Sequence, residues 1–266
     1  MSSKLLLHPR EKDANNTILN LTPESAGWSY VGFTVKELAS ASIATGETGD
    51  CEVCLVLVSG RARIHSNGMD FGVLGERMSP FDGLPWSVYL PPGQDWTVTA
   101  ETPVELAICS SPATGKYSAR VIPPKEVGEI SRGSGTNQRF VRNILPDTAP
   151  AETLLVVEVV TPGGHWSSYP PHKHDTDDFP NETYLEETYY HRLKRGSGFA
   201  FQRVYTKDGE LDETMAISDR DVVLVPKGYH PVGAPHGFDL YYLNVMAGPN
   251  RKWKFSMDPD HAHIPY

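Results

Sequence analysis

Glycine (23) and proline (22) punctuate this 266-residue chain from end to end, and long amphipathic helical patterns are absent between them. Between the breaks lie runs of five to eight residues rich in Val, Leu, Ile, Tyr and Thr: EVCLVLV, WSVYLP, WTVTA, VELAIC, LLVVEVV, FAFQRVYT, DVVLVP and LYYLNVMA. Short apolar runs bounded by turn residues read as strands. The expected class is therefore all-β, a barrel or sandwich with at most short helical turns in segments such as PPKEVGEI.

A repeat divides this β-rich chain. Glu52 opens EVCLVLVSG and Glu187 opens ETYYHRLKRG, and LPPG at Pro91–Gly93 matches VPKG at Pro226–Gly228 with the same offset of 135 residues. A shared spacing suggests a duplicated unit. The expected domains are 1–130 and 131–266, with the polar, Gly-rich GEISRGSGTNQ as connector.

Composition narrows the partners. A net charge of −9 with scattered basic residues argues against nucleic acid and leaves a small molecule as the expected ligand. No apolar stretch approaches the roughly 20 residues needed to span a bilayer, so no membrane partner is expected. The start MSSKLLLHPREKD ends its apolar run after three leucines, too soon for a secretory segment, which makes the cytoplasm the expected location. Cys51, Cys54 and Cys109 do not resemble a disulfide framework. The Cys51/Cys54 pair also lacks the second pair of ligands that a structural zinc requires.

The stretch SYPPHKHDTDDFPNETYLEETYYH, residues 168–191, concentrates imidazoles and carboxylates. His172 and His174 are two apart, which on a strand places both rings on one face. His261 and His263 show the same spacing in the tail, so the pattern gains weight only from its company. That company is Glu187 at the start of the next strand and His230 after the PKG turn, and strands of a small barrel can bring all four to one interior spot. Three imidazoles and a carboxylate suit a divalent Mn, Fe or Zn ion.

These residues resemble the cupin superfamily, whose motifs place H-x-H, Glu and Gly before Pro-x-Gly and a third His; here they are His172, His174, Glu187, Gly196, Pro226, Gly228 and His230. Two tandem cupin barrels, each a double-stranded β-helix or jelly-roll, are the fold this resemblance implies. Twelve residues separate His174 from Glu187, longer than the usual cupin interval, and the insert offers Glu182 and Glu186 as rival ligands. With PPHKHD, LEETYYHRL, GFAFQRVYT, DVVLVPKGYHPV and DLYYLNVMAGP, the second half resembles the 5-deoxy-glucuronate isomerase family of myo-inositol catabolism. The resemblance implies an aldose–ketose isomerase that converts 5-deoxy-glucuronate to 5-dehydro-2-deoxy-gluconate. Uronate ketol-isomerases of pectin breakdown, iron dioxygenases and sugar-binding double cupins share parts of the pattern and stay open as alternatives.

Such chemistry needs a Lewis acid and a proton carrier. If Glu187 faces inward, strand alternation directs Tyr189 and His191 inward too, as proton carriers or as core residues. Arg203 is the candidate for the substrate carboxylate, with Gln202 and Lys173 behind it, and Tyr242 for closing the pocket. Parity allows only one of Gln202 and Arg203 to face the interior. The amino-terminal barrel has Gln94, Asp95 and Trp96 where a third ligand would follow PPG, and no histidine in SIATGETGD ahead of Glu52. Its expected role is packing partner and rim. Open sheet edges leave a homodimer as a possible assembly, and the insert 175–186 is expected to form a lid whose ends fix the flanking ligands.

Overall fold

A computed structural model describes residues 3–265 of the chain. Twenty-three strands account for its regular structure, and the helices are single turns at Pro23–Ala26 and Pro124–Val127 with two short 3-10 segments. The second of these turns falls within the PPKEVGEI segment. Among the described residues no helix is long and apolar enough to cross a membrane.

The chain forms two compact units, but not as two contiguous halves. One comprises Met1–His8, Glu129–Arg142 and Val157–Tyr266, and the other Pro9–Gly128 and Asn143–Val156. In the second unit a six-stranded antiparallel sheet runs in the order Arg120–Ile122, Trp86–Leu90, Cys51–Ser59, Val104–Pro112, Gly32–Leu38, Thr17–Leu21, and a four-stranded sheet joins Ile43–Glu47, Asp95–Ala100, Ala62–Ser66 and Met69–Leu74. Val53, Leu55 and Leu57 alternate into a core with Ile64, Val88, Leu90, Val98 and Leu106. Each such side chain contributes about 1.5–3 kcal/mol by leaving water. The intervening residues, Glu52, Cys54 and Val56, point to the opposite face, as the two-residue period requires. All three cysteines are free.

This parity corrects the repeat. Glu52 faces away from its barrel's core, and its carboxylate accepts the backbone N–H groups of Glu152, Thr153 and Leu154 and the Tyr89 hydroxyl. Cross-strand register gives the true correspondence: Glu187 pairs with Val225, just before Pro226, while Val53 pairs with Leu90, just before Pro91. The position of Glu187 is therefore held by Val53. The offset of 135 aligned the two turns correctly and the two glutamates one residue out, and a one-residue slip turns every side chain to the other face.

The first unit repeats the plan. Its larger sheet has the order Leu6–Leu7, Val222–Val225, Glu186–Leu193, Leu240–Ala247, Leu154–Thr161, Arg139–Leu145, Ile130–Arg132, and its four-stranded sheet joins Trp166–Ser167, Val232–Gly233, Ala200–Tyr205 and Asp212–Ile217. The GEISRGSGTNQ segment is no simple connector. Ile130–Arg132 pairs with Arg139–Val141 as a hairpin, and its polarity reflects the turn at its tip. On the face away from the pocket, Arg142 Nη1 donates to Glu158 Oε1 at 3.0 Å and the Tyr241 hydroxyl to Glu158 Oε2 at 2.9 Å, a buried network that neutralises Glu158.

Candidate metal centre

Each of the four clustered side chains reaches its place for a local reason. His172 lies on the two-residue strand His172–Lys173, held by pairing with Ser256–Met257. His174 ends that segment, and its Nδ1 lies 3.1 Å from the carbonyl oxygen of Leu185, at the far end of the insert. Glu187 projects from the strand Glu186–Leu193, buried throughout except at Arg192. His230 follows the PKG turn, where Gly228 has φ +87° and a Cβ would sit 2.3 Å from the Tyr205 carbonyl oxygen, so only glycine fits. His230 Nδ1 is 2.9 Å from the Gly228 carbonyl and the Gly228 N–H donates to Asp175 at 2.7 Å. The two ends of the insert thus brace two of the histidines.

The geometry converges. One ligand atom from each of His172, His174 and His230 lies within 4.8 Å of the others. Glu187 Oε2 is 3.1 Å from His174 Nε2 and 3.2 Å from His230 Nε2, while Oε1 accepts from Asn244 Nδ2 at 2.8 Å. Backbone carbonyls at the Nδ1 atoms of His174 and His230 direct their Nε2 atoms inward as lone-pair donors. His230 Nε2 and His172 Nδ1 are buried without hydrogen-bond partners. Burial pushes His172 well down, helped by the other two imidazoles, and burial also lowers His230. Burial opposes protonation of His174, but the bond and charge of Glu187 outweigh it and raise its pKa. Two imidazoles that burial keeps from protonating, each with an orphaned nitrogen, and a third beside a carboxylate are a donor set for a divalent cation.

Other residues read from the sequence divide into those at the pocket and those away from it. Tyr189 and Tyr242 line it with Glu187, His172, Asn244 and Arg139. The Tyr189 hydroxyl is 2.9 Å from Ser168 Oγ, and burial holds its pKa well up. His191 stands one pleat further on, its ring stacked on Tyr189 at 6.0 Å and its Nε2 3.0 Å from Gln202 Oε1. Gln202 is thus the inward member of its pair. Arg203 faces outward, paired with Asp212 at 2.7 Å over the Tyr205 ring. Lys173 is likewise turned away, into Asp175 and Glu182. Those bonds occupy Glu182, while Glu186 has the opposite parity from Glu187; neither rival joins the cluster. His261 packs edge-on to Tyr169, outside the cluster.

Reading the sequence missed Arg139, Arg132 and Asn244. Arg139 is buried on the pocket wall, and Arg132 lies across the hairpin from it, also lining the pocket. The available signal was a pair of arginines inside a strand-like run, RFVR, next to a segment taken as linker. Asn244 sits directly opposite Tyr189 in the register of its sheet.

Comparison with known proteins gives the chain a lineage. A model of the KduI/IolB family matches residues 5–264. The chain belongs to that family. It is 54% identical over 263 residues to the 5-deoxy-glucuronate isomerase of Geobacillus kaustophilus strain HTA426, covering 98% of this chain and 95% of the relative. The enzyme of that name from Bacillus subtilis strain 168 is 46% identical, with 98% of both covered. Among solved structures, an IolB-like protein from Salmonella typhimurium LT2 superposes with a TM-score of 0.95 at 51% identity, covering 98% of each chain. The oxalate decarboxylase OxdC of Bacillus subtilis matches with a TM-score of 0.65 at 14% identity, over 97% of this chain and 80% of that one. That last likeness shows the shared two-barrel cupin fold alone.

Proposed function

We propose that this KduI/IolB-family chain is a metal-dependent aldose–ketose isomerase that converts 5-deoxy-glucuronate to 5-dehydro-2-deoxy-gluconate, with His172, His174, His230 and Glu187 as the residues that hold the cation. The observation that carries the reading is the convergence of three imidazoles and Glu187 beside a pocket that also presents buried Arg139. Family membership and the names of the relatives supply the substrate. When bound, a divalent cation would supply Lewis acidity to the oxygens of the sugar's carbonyl and adjacent hydroxyl.

The rest falls to the chain's own groups. Isomerisation moves one proton from C2 to C1 and one from the C2 hydroxyl to the former aldehyde oxygen, with no net oxidation. Arg139, with Arg132 across the hairpin, takes the substrate carboxylate, the role first expected of Arg203. Tyr189 is the pocket hydroxyl placed to pass a proton, with Ser168 as its partner. His191 positions Tyr189 by stacking, and Gln202 fixes the His191 ring. Open space at the cluster is about 30 Å³, room for roughly one or two waters. Admission of a sugar therefore requires the pocket lining to yield.

The test is NMR of the metal-loaded protein with 5-deoxy-glucuronate in D2O. Loss of the aldehyde proton with deuterium entering C1 is expected, and His172→Ala is expected to lose both bound metal and turnover. Full turnover by that variant would overturn the proposed site.

A further inference from the structure

The amino-terminal barrel, expected from its sequence to serve as packing partner and rim, has a groove of about 470 Å³ lined from both of its sheets. Pockets for small metabolites span about 300–1,000 Å³. Two glycines shape its floor. A Cβ at Gly32 would lie 2.4 Å from Ser110 Oγ, and one at Gly46 would lie 2.3 Å from the Trp96 ring. Ser110 and Trp96 fill the space that ordinary side chains would have taken.

Lys36 lies within this lining, only 9% exposed. Its Nζ donates to the Asn15 carbonyl at 3.0 Å and to Thr17 Oγ1 at 3.1 Å, both uncharged acceptors. The ammonium has a third N–H and, among the described residues, no carboxylate at ion-pair distance. Burial lowers its pKa, Asp13 opposing this from beyond contact, and a cation so far removed from water is costly with no carboxylate in contact. Around it are hydroxyl and amide groups: Thr34 Oγ1 donates to Asn20 Oδ1 at 2.7 Å, which leaves the Asn20 nitrogen as donor, and Ser110 and Thr45 line the same groove. Asp13 and Glu47 also line it, both exposed, and the Asp13 carboxylate is engaged by the N–H groups of Asn15 and Thr17 at 2.8 and 2.9 Å. A positive group inside a negative rim favours a singly charged anion over a multiply charged one.

We propose that this groove is a second ligand site that binds a small polyhydroxy monocarboxylate, with the carboxylate on Lys36 and the hydroxyls on Asn20, Thr34 and Ser110. It needs no metal. It stands apart from the isomerase reading, since none of its residues belongs to the metal centre.

The test is titration calorimetry of the full chain carrying His172→Ala, which disables the other site, with D-glucuronate as probe. Saturable one-to-one binding is expected, with acetate, D-glucitol and inorganic phosphate each at least about tenfold weaker. Lys36→Met is expected to weaken D-glucuronate at least about tenfold and Lys36→Arg to retain it, while Lys36→Met in the otherwise natural chain keeps its isomerase rate. Ser110→Leu, which fills the groove from a different strand, guards against a folding defect at position 36 and is expected to abolish binding. Absence of saturable binding to the His172→Ala protein, undiminished binding by either groove variant, or equal binding of D-glucitol would overturn the proposal.

Discussion

Asn244 shows how one uncharged side chain orients a carboxylate of the proposed metal centre. Its Nδ2 donates to Glu187 Oε1, which leaves Oε2 to face His174 and His230. Asn244→Leu is expected to lower divalent-metal affinity by about 10–100-fold, read by chelator competition, because such supporting partners orient the ligands. A second test concerns His191, which burial holds down at about 4 although Gln202 raises it in part. The unfolded chain takes up that proton near 6.5, so the stability His191 contributes is complete above that pH and is lost as pH falls toward 4. The loss is on the order of 3 kcal/mol. Urea midpoints of the natural chain and His191→Phe should therefore diverge in slope between those limits and run parallel above them. At this scale the sequence was readable where chemistry is crowded. His172, His174, Glu187 and His230 stand out by type and spacing, whereas Arg203 and Arg139 look alike in a string of letters. Only the pairing of Arg203 with Asp212, on the outward face of its strand, separates them.

At the scale of elements, alternation made the strands legible but not their register. Glu52 and Glu187 looked equivalent because each opens a strand, yet the pairs Val53–Leu90 and Glu187–Val225 set the correspondence one residue away. Register is a relation between strands distant in the chain, so it is invisible within any one run. The same holds for the Ile130–Arg132 hairpin, whose Gly-rich tip has a linker's composition. The Arg139–Leu145 strand serves the pocket on one face and a buried ion pair on the other: Arg139 lines the pocket, and Arg142 meets Glu158. Arg142→Met is expected to cost about 3–5 kcal/mol in chemical denaturation, because Glu158 stays buried without this arginine. The double change Arg142→Met with Glu158→Leu should recover much of that loss.

At the scale of the whole molecule, the single boundary near residue 130 gives way to a woven path. Residues 143–156 belong with the amino-terminal barrel, and Met1–His8 with the unit that carries the histidine cluster. Glu152, Thr153 and Leu154 are the residues whose N–H groups satisfy Glu52. Chains cut at the sequence boundary, 1–130 and 131–266, are therefore expected to lack cooperative thermal transitions. The 1–130 fragment is left with a buried Glu52 whose backbone donors are gone, at a cost of about 1–3 kcal/mol or more. Differential scanning calorimetry of both fragments beside the full chain would check this; a sharp transition in 131–266 alone would refute it. Leu6 and Leu7 pair with Val223 and Val222, and His8 Nδ1 lies 2.7 Å from Asp221 Oδ1. These pairs join segments more than two hundred residues apart, so that edge of the sheet is sealed by a non-local contact of the kind that slows folding.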